Sequence, residues 1–364
     1  MTNRRDFLKK MAVAGMVSTM PSALISKQSM NSPSKTSNDL IWANLLHLSY
    51  NMWEDVVPER YQGPYEQFNS KCNDARMWAH SYRPELTFDE PMWNHLLDDM
   101  AAAGMNMVII DLGDGVLYDS HPEIAVKNAW TPYKLRKELA KMREMGLEPI
   151  PKLNFATTHG AWMGDYARMV STKKYYSFCS NLIKEVIELF DNPRFFHLGM
   201  DEESVKHQVR LHYAVMRQHD LWWHDLHFLV DEVEKNGVRA WVWSDPAWLD
   251  SETFLRKMPK SVLQSNWYYN ESFDMSTLND HLKKCVQLYT DLEAHGYDQV
   301  PTGSNHYNKT NMESTVGYCK EIIDPKRLYG FMTAPWRPTL QPCFKRHQEA
   351  IEQVGSAIKK FKTL

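Results

Sequence analysis

The sequence has little of what several large classes of protein need. Its net charge is −3, and it has no long block of lysine and arginine to attract nucleic acid. Its five cysteines are scattered and odd in number, which fits neither a disulfide framework nor a cysteine metal site. No glycine-rich phosphate loop follows a strand, and no apolar run approaches the length that spans a bilayer. We therefore predict no nucleic-acid partner, no cofactor and no stable membrane anchor.

Aromatic residues are abundant instead, with 13 tryptophans and 17 tyrosines among 364 residues. Their ring faces stack on the apolar C–H faces of sugars while their polar edges reach water. This composition favours a carbohydrate site. With 43% hydrophobic residues, the chain can also bury a sizeable core.

The N-terminal segment has the order of parts of a twin-arginine export signal. Paired arginines are followed by Phe-Leu-Lys and a modestly apolar run to Met20, with small residues beyond it. We predict a signal peptide over residues 1–26, with the twin-arginine export machinery as a partner. The protein would then be exported, to the periplasm or the cell exterior. Residues 27–39 are rich in Ser, Asn, Lys and Pro and indicate a linker before an ordered region over 40–364.

From residue 40 onward, apolar strand-like segments alternate with helical segments. One helix is predicted to begin at Thr131-Pro132, a capping residue followed by the proline favoured in a first turn. Others are predicted over 173–190, 218–236, 275–295 and 345–361. Eight strands in this alternation predict an α/β fold, a single-domain (β/α)8 TIM barrel. The alternative, an open doubly wound sheet, lacks its glycine-rich fingerprint here.

The stretch over 194–203 is the central candidate for an active site. A turn ending at Pro193 precedes a short apolar strand, and Gly199 then allows a sharp bend before Asp201, Glu202 and Glu203. Carboxylates at the C-terminal end of a barrel strand lie where such barrels carry their chemistry. The alternative is that the three acids form the solvated first turn of the next helix, where negative charge suits the dipole.

Other strand ends carry polar and aromatic residues that would converge on the same mouth. They are Asp111, Asn154, His159, Trp243, Asp245, Trp267, Tyr268, Tyr307, Trp336 and Arg337. We predict a pocket with acids at its centre and aromatic residues at its rim. A structural role is the alternative for each, such as a backbone hydrogen bond for Asp111 or core packing for Trp243. The sequence shows no short-spaced ligand pairs, so we predict no metal site.

Four segments together resemble glycoside hydrolase family 20, the β-N-acetylhexosaminidases. His197 to Glu202 resembles the family's His-x-Gly-x-Asp-Glu signature at the end of the fourth barrel strand. The other three are Ile150 to Asn154 with His159 to Trp162, like the third-strand motif, Gly296 to Tyr307, similar to the seventh-strand segment, and Ala334 to Trp336, like the last strand. The resemblance runs in order through most of residues 90–340.

The resemblance implies an exported glycoside hydrolase that cleaves N-acetylated amino sugars from a glycan or oligosaccharide. Its mechanism would be substrate-assisted retaining hydrolysis, in which the sugar's own acetamido oxygen attacks the anomeric carbon. On this basis Glu202 is the acid and then the base, Asp201 stabilises the charge on the acetamido nitrogen, and Tyr307 holds the acetamido oxygen. Trp243, Trp267 and Trp336 would be the walls of the pocket.

The chain also departs from the family pattern. The first strand offers no arginine to grip the sugar's outer hydroxyls, Asn154 replaces an aspartate, and Arg337 follows the last-strand Trp where an acid is usual. We expect no room here for the small domain that normally precedes the barrel. Two other functions therefore stay open. One is a two-carboxylate glycosidase that uses Glu202 with Asp111 or Asp245 on a sugar without an acetamido group, and the other is a non-catalytic carbohydrate-binding barrel.

Overall fold

The structure is a computed structural model and describes residues 40–55, 82–209 and 211–363. The predicted signal peptide and linker lie outside these residues. Eight strands are described: β1 Ile41–His47, β2 Met107–Asp111, β3 Glu148–Lys152, β4 Phe195–His197, β5 Arg239–Trp243, β6 Leu263–Ser265, β7 Thr302–Gly303 and β8 Gly330–Thr333. The helices that follow them in turn are α1 Glu90–Ala102, α2 Pro132–Glu144, α3 Lys173–Leu189, α4 His219–Glu234, α5 Ser251–Lys257, α6 Asp280–Ala294, α7 Asn311–Ile322 and α8 Phe344–Thr363. Among the described helices, none is both long and apolar enough to cross a bilayer.

The strands form one parallel sheet that is a nearly closed barrel. Neighbouring strands pair in the order β6-β5-β4-β3-β2-β1-β8-β7. Parallel bridges from Gln264 to Gln299 and from Trp267 to Thr302 then join β6 to the β7 segment. This arrangement confirms the predicted (β/α)8 fold class, because an open doubly wound sheet would leave its two edge strands unpaired.

The core has two layers because strand side chains alternate between the two faces of the sheet. In β1, Ala43 and Leu45 point into the barrel, while Trp42 and Leu46 pack in the layer between sheet and helices. The inner layer ends at the C-terminal mouth in aromatic residues, which include Trp243 and Trp336. Because this layer fills the barrel, a ligand has to lie above it, at the mouth.

Candidate active site

The loop after β4 places the three consecutive acids. The strand ends at His197, and Gly199, Met200 and Glu202 all have positive φ angles, of 71°, 73° and 54°. A Cβ atom on Gly199 would lie 2.1 Å from the side-chain oxygen of Asn154, so only glycine fits this bend. The acids are not the first turn of a helix, since α4 begins only at His219.

The three acids lie in three different environments. Asp201 is buried, with 5% of its surface exposed. The side chain of Glu202 is 30% exposed, and that of Glu203 is 6% exposed and forms an ion pair with Arg217. Glu203 therefore belongs to the protein interior behind the loop. Asp201 and Glu202 are the two carboxyl groups left at the mouth.

Asp201 is held as a carboxylate by residues of the loop after β3. Its Oδ1 accepts a hydrogen bond from Asn154 Nδ2 at 2.8 Å and lies 3.2 Å from His159 Nδ1. Burial alone would raise the pKa of Asp201, but the charge and hydrogen bond of His159 outweigh it and hold this pKa below its usual range. Burial would likewise lower the pKa of His159, yet Asp201 and Glu202 raise it to about 10. The pair is therefore a carboxylate and an imidazolium at neutral pH.

Asn154, predicted to bind substrate, instead holds the loop together. Besides donating to Asp201, its Oδ1 accepts from the amides of Ala156 at 3.0 Å and Met200 at 3.3 Å. Both ends of the side chain are thus occupied within the protein. Its role in the structure is to fix the bend that carries the acids.

Glu202 extends from this bend between two histidines. Its Oε2 lies 3.4 Å from His159 Nε2, and its Oε1 lies 3.7 Å from His207 Nε2. His207 is exposed and belongs to the 3₁₀ turn Val205–Gln208, and no pattern in the sequence indicated it. The backbone amide of Glu202 donates to Asp245 Oδ2 at 2.9 Å.

Asp245, at the end of β5, brings a third carboxyl group to the acids. Its other oxygen accepts a hydrogen bond from Trp267 Nε1 at 3.3 Å. Only 6% of Asp245 is exposed. Burial, together with the negative charges of Asp201 and Glu202, raises the pKa of Asp245 well above its usual range.

Aromatic residues surround the acids on the β5, β6 and β8 side. Trp267 stacks on Tyr269 with ring centres 5.0 Å apart, and Trp336 Nε1 donates to the Tyr269 hydroxyl at 2.9 Å. Trp336 also packs 5.9 Å from Trp243, which is almost wholly buried. The three predicted Trp residues thus come together, with Trp243 beneath the other two.

The tyrosine at the site after β6 is Tyr269, one residue beyond the predicted Tyr268. Tyr268 turns away from the mouth and donates its hydroxyl to the carbonyl of Ser272 at 2.6 Å, while Tyr269 occupies the aromatic side of the site. Strand alternation explains the difference, because Trp267 and Tyr269 share one face and Tyr268 lies on the other. That period of two was the available sequence signal.

Two residues predicted after β7 and β8 also lie differently from expectation. Tyr307 is 65% exposed, and its ring packs against His306 at 4.5 Å rather than among the acids. The long loop after β7 carries it to the rim. Arg337 is buried, and its Nη1 donates to the carbonyl of Trp336 at 2.9 Å, which supports the backbone of that Trp.

Asp111 lies below the mouth in a closed group of charges. In the sheet it is flanked by His47 and Lys152, and it forms an ion pair with Lys152. Burial would raise the pKa of Asp111, but Lys152 and His47 outweigh it and lower this pKa. Asp111 was predicted to face the substrate, and the structure instead pairs it inside the barrel. Lys152, which the prediction missed, could have been noticed as a basic residue at the C-terminal end of its strand.

His159, Asp201 and Glu202 also have the separation of metal ligands. Each offers one ligand atom, and these atoms lie within 4.8 Å of one another. Despite burial, Asp201 and Glu202 raise the pKa of His159 to about 10, so in this structure the three side chains form an ion-paired group.

Comparison with known proteins gives matches to solved structures only. No protein-family model matches the sequence, and no curated protein matches it. A β-N-acetylhexosaminidase from Bacteroides fragilis shares 14% identity over 86% of this chain and 65% of its own length, with a TM-score of 0.54. A GH20 β-N-acetylhexosaminidase from Streptomyces coelicolor shares 12% identity over 85% of this chain and 63% of its own, with a TM-score of 0.54.

A third structure was solved with a sugar. The GH20 exo β-N-acetylglucosaminidase from Vibrio harveyi, in complex with N-acetylglucosamine, shares 14% identity over 77% of this chain and 56% of its own, with a TM-score of 0.50. The chain therefore spans less than two-thirds of the length of these three proteins. Identities this low support a statement about fold alone. This chain has the (β/α)8 barrel fold of these β-N-acetylhexosaminidase structures, as the resemblance implied.

Proposed function

We propose that this protein is a glycoside hydrolase that removes N-acetylated amino sugars from glycans by substrate-assisted, retaining hydrolysis. The proposal rests on one observation: the two adjacent carboxyl groups at the barrel mouth lie in different environments. Asp201 is buried and ionised beside the imidazolium of His159, while Glu202 is partly exposed beside it. Substrate assistance needs a fixed negative charge, which Asp201 supplies, and a second carboxyl group at the open mouth that can reach the glycosidic oxygen, the role that we assign to Glu202.

In the first step Glu202 acts as the acid. It gives its proton to the glycosidic oxygen as the bond from that oxygen to the anomeric carbon breaks. The acetamido oxygen of the substrate forms the new bond to the anomeric carbon, and the alcohol leaves. Positive charge develops on the acetamido nitrogen, where the Asp201 carboxylate stabilises it.

In the second step Glu202, now a carboxylate, acts as the base. It takes a proton from a water molecule whose oxygen attacks the anomeric carbon, and the bond to the acetamido oxygen breaks. Two inversions leave the product with the original configuration.

Tyr269 is the better partner for the acetamido oxygen than Tyr307, the residue that the resemblance implied. Burial, first of all, raises the pKa of Tyr269 well above its usual range, so its hydroxyl keeps a proton to donate. That oxygen already accepts from Trp336, which fixes its position. Tyr307 projects into solvent.

The solved structures support an N-acetylated sugar as the substrate class. The Vibrio harveyi protein of the same fold was crystallised with N-acetylglucosamine. The aromatic side of the present site, Trp267, Tyr269 and Trp336, offers ring faces of the kind that stack on such a sugar.

The test is hydrolysis of chromogenic β-N-acetylglucosaminide and β-N-acetylgalactosaminide. We expect Glu202→Gln to lower kcat about 10²- to 10⁴-fold and Asp201→Asn about 10²- to 10³-fold. Glu271→Gln, which removes an exposed acid in the connection after β6, is the matched control and should change neither kcat nor KM. Tyr269→Phe should lower kcat, whereas Tyr307→Phe should not.

Three outcomes would contradict the proposal. Cleavage of neither sugar, with binding of one, would favour the carbohydrate-binding barrel. An active enzyme that a thiazoline mimic of the cyclic intermediate fails to inhibit would favour the two-carboxylate mechanism. An active Glu202→Gln variant would remove the proton donor from the scheme.

We also propose that the enzyme is exported by the twin-arginine machinery and acts in the periplasm or outside the cell. The paired arginines and the apolar run behind them support this. Replacing both arginines by lysine should leave the protein in the cytoplasmic fraction of a host that carries this machinery. Export of that variant would contradict the proposal.

A further inference from the structure

We propose that Asp245 is a positioning residue for the proton donor: as a hydrogen-bond acceptor, it fixes the backbone of Glu202 and ties it to the indole of Trp267. The inference rests on the proposed function, because it presupposes that Glu202 donates a proton. It gives Asp245 a different role from the substrate contact or second catalytic carboxylate that the sequence suggested.

The backbone of Glu202 needs such support. Its φ angle of 54° lies in the left-handed region, which residues other than glycine rarely adopt. Such a conformation persists only where the surrounding structure imposes it. The amide of Glu202 donates to Asp245 Oδ2 at 2.9 Å, and this bond fixes the peptide at the strained position. Without this acceptor the strained backbone of Glu202 would relax, and the Glu202 side chain would leave the backbone in a different direction.

Asp245 connects this peptide to the aromatic side of the site. Its second oxygen accepts from Trp267 Nε1 at 3.3 Å, and Trp267 in turn stacks on Tyr269. One buried side chain from the end of β5 thus sets the distance between the acid of β4 and the ring of β6. A sugar held against Trp267 would then meet Glu202 in a fixed orientation.

The two hydrogen bonds make the role distinguishable from that of a second catalytic carboxylate. Both side-chain oxygens of Asp245 are acceptors within the protein, Oδ2 for the amide of Glu202 and Oδ1 for Trp267 Nε1. The positioning role needs only an acceptor for the Glu202 amide, and the side-chain oxygen of asparagine can supply it. A catalytic carboxylate, in contrast, must be ionised in one of its two steps, and asparagine cannot replace it.

The experiment compares two substitutions of Asp245 on the chromogenic substrates, with thermal unfolding recorded for each. We expect Asp245→Ala to lower kcat about 10- to 100-fold, because the proton donor is displaced, and to raise KM several-fold, because Trp267 loses its acceptor. Asp245→Asn should keep kcat within about threefold of wild type. Its amide nitrogen would face Trp267 Nε1–H, donor against donor, so KM should rise several-fold.

The matched control is Asp250→Ala in the same connection between β5 and α5. Asp250 is exposed and caps α5 by accepting from the amide of Thr253 at 3.1 Å, so its loss should leave both kcat and KM near the wild-type values. It shows whether any Asp→Ala change in this connection disturbs the acids.

Each other outcome overturns the inference. Wild-type kcat in Asp245→Ala would mean that Glu202 needs no such support. An equal loss in Asp245→Asn and Asp245→Ala would mean that the charge matters, which assigns Asp245 to the two-carboxylate mechanism. A change in KM alone for Asp245→Ala would limit its role to the aromatic side. If the wild type cleaves neither substrate, the proposed function is wrong, and the positioning role of Asp245 is wrong with it.

Discussion

Replacing Arg217 by methionine should destabilise the barrel by about 3 to 5 kcal/mol, because two buried carboxylates would lose their partner. The Arg217 side chain is fully buried and forms ion pairs with Glu203 and Asp225. Its guanidinium also donates to the carbonyl of Phe155 at 2.6 Å. Since Glu203 follows Glu202 directly, this group anchors the loop of the acids from behind.

The magnitude follows from what the two carboxylates can do without Arg217. Each must stay ionised and buried or take up a proton, and protonating an acid of pKa near 4 at pH 7 costs about 4 kcal/mol. Remaining donors lower this cost. Glu203 keeps the amide of Thr157 at 3.0 Å, and Asp225 keeps the hydroxyls of Ser171 at 2.7 Å and Tyr176 at 2.6 Å. One to two protonation costs of about 4 kcal/mol each, lowered by these remaining hydrogen bonds, give the expected destabilisation of about 3 to 5 kcal/mol.

The loss should also depend on pH. In the wild type, burial would raise the pKa of Asp225, but Arg217 outweighs it and lowers this pKa. The stability that this provides is present above the ordinary pKa near 4 and is lost only as the pH falls through the lowered value. Without Arg217, burial is opposed only by the hydroxyls of Ser171 and Tyr176, so we expect the pKa of Asp225 to rise and the penalty to grow as the pH rises above 4. The difference between wild type and variant should therefore be smaller at pH 5 than at pH 7, by up to about 1.4 kcal/mol per pH unit for Asp225.

Urea unfolding followed by tryptophan fluorescence at pH 5 and pH 7 measures both effects. Arg168→Met is the matched control, because Arg168 forms an exposed ion pair with Asp165 and its loss should cost under about 1 kcal/mol. Adding Glu203→Gln and Asp225→Asn to Arg217→Met should recover part of the stability. A loss below about 1 kcal/mol at pH 7, or one that is as large at pH 5, would refute the reasoning.

Two further predictions concern the loop bend and a second buried acid. Gly199→Ala should lower the free energy of unfolding by more than about 2 kcal/mol and reduce kcat, because its Cβ would overlap Asn154. The control Gly146→Ala, also at positive φ but with no neighbouring residue packed within 4 Å of the added Cβ, should lower it by only about 1 kcal/mol. Equal urea midpoints for the two variants would contradict this. Asp114, in the connection after β2, is buried and accepts a hydrogen bond from Asn51 Nδ2 at 2.9 Å. Burial raises the pKa of Asp114 to about 7, so wild-type stability should fall by up to about 4 kcal/mol as the pH rises from 4 to 7. Asp114→Asn should remove that dependence, and parallel pH curves for the two proteins would contradict the argument.

Much of the fold could be predicted because local signals and barrel periodicity agree. The helix predicted from Thr131-Pro132 begins there, with the Thr131 hydroxyl accepting from the amide of Lys134. Helices predicted over 218–236 and 345–361 are His219–Glu234 and Phe344–Thr363. The short apolar strand predicted after Pro193 ends at His197, and Gly199 and Met200, which have positive φ angles, then turn the chain away from the sheet. A hydrophobic pattern does not reveal where a backbone leaves the sheet.

The site was predictable as a set of strand ends but not as a set of contacts. Asp201, Glu202, His159 and Asp245 do come together, since parallel strands of a barrel end at one mouth. Which carboxyl groups are satisfied inside the protein depends on partners far along the chain. Arg217 for Glu203 is such a partner, as is Lys152 for Asp111.

The separation of three neighbouring acids into three environments is a property of the closed barrel. A strand would alternate them between two faces, and a helix would spread them along one solvated turn. Here left-handed residues at Met200 and Glu202 turn the chain twice, and the amide at each turn is held by a side chain from another strand end, Asn154 after β3 and Asp245 after β5. The direction of the Glu202 side chain, the proposed proton donor, is therefore set by β3 and β5, the strands that flank β4. This direction is fixed only when both strands are paired with β4 in the folded barrel.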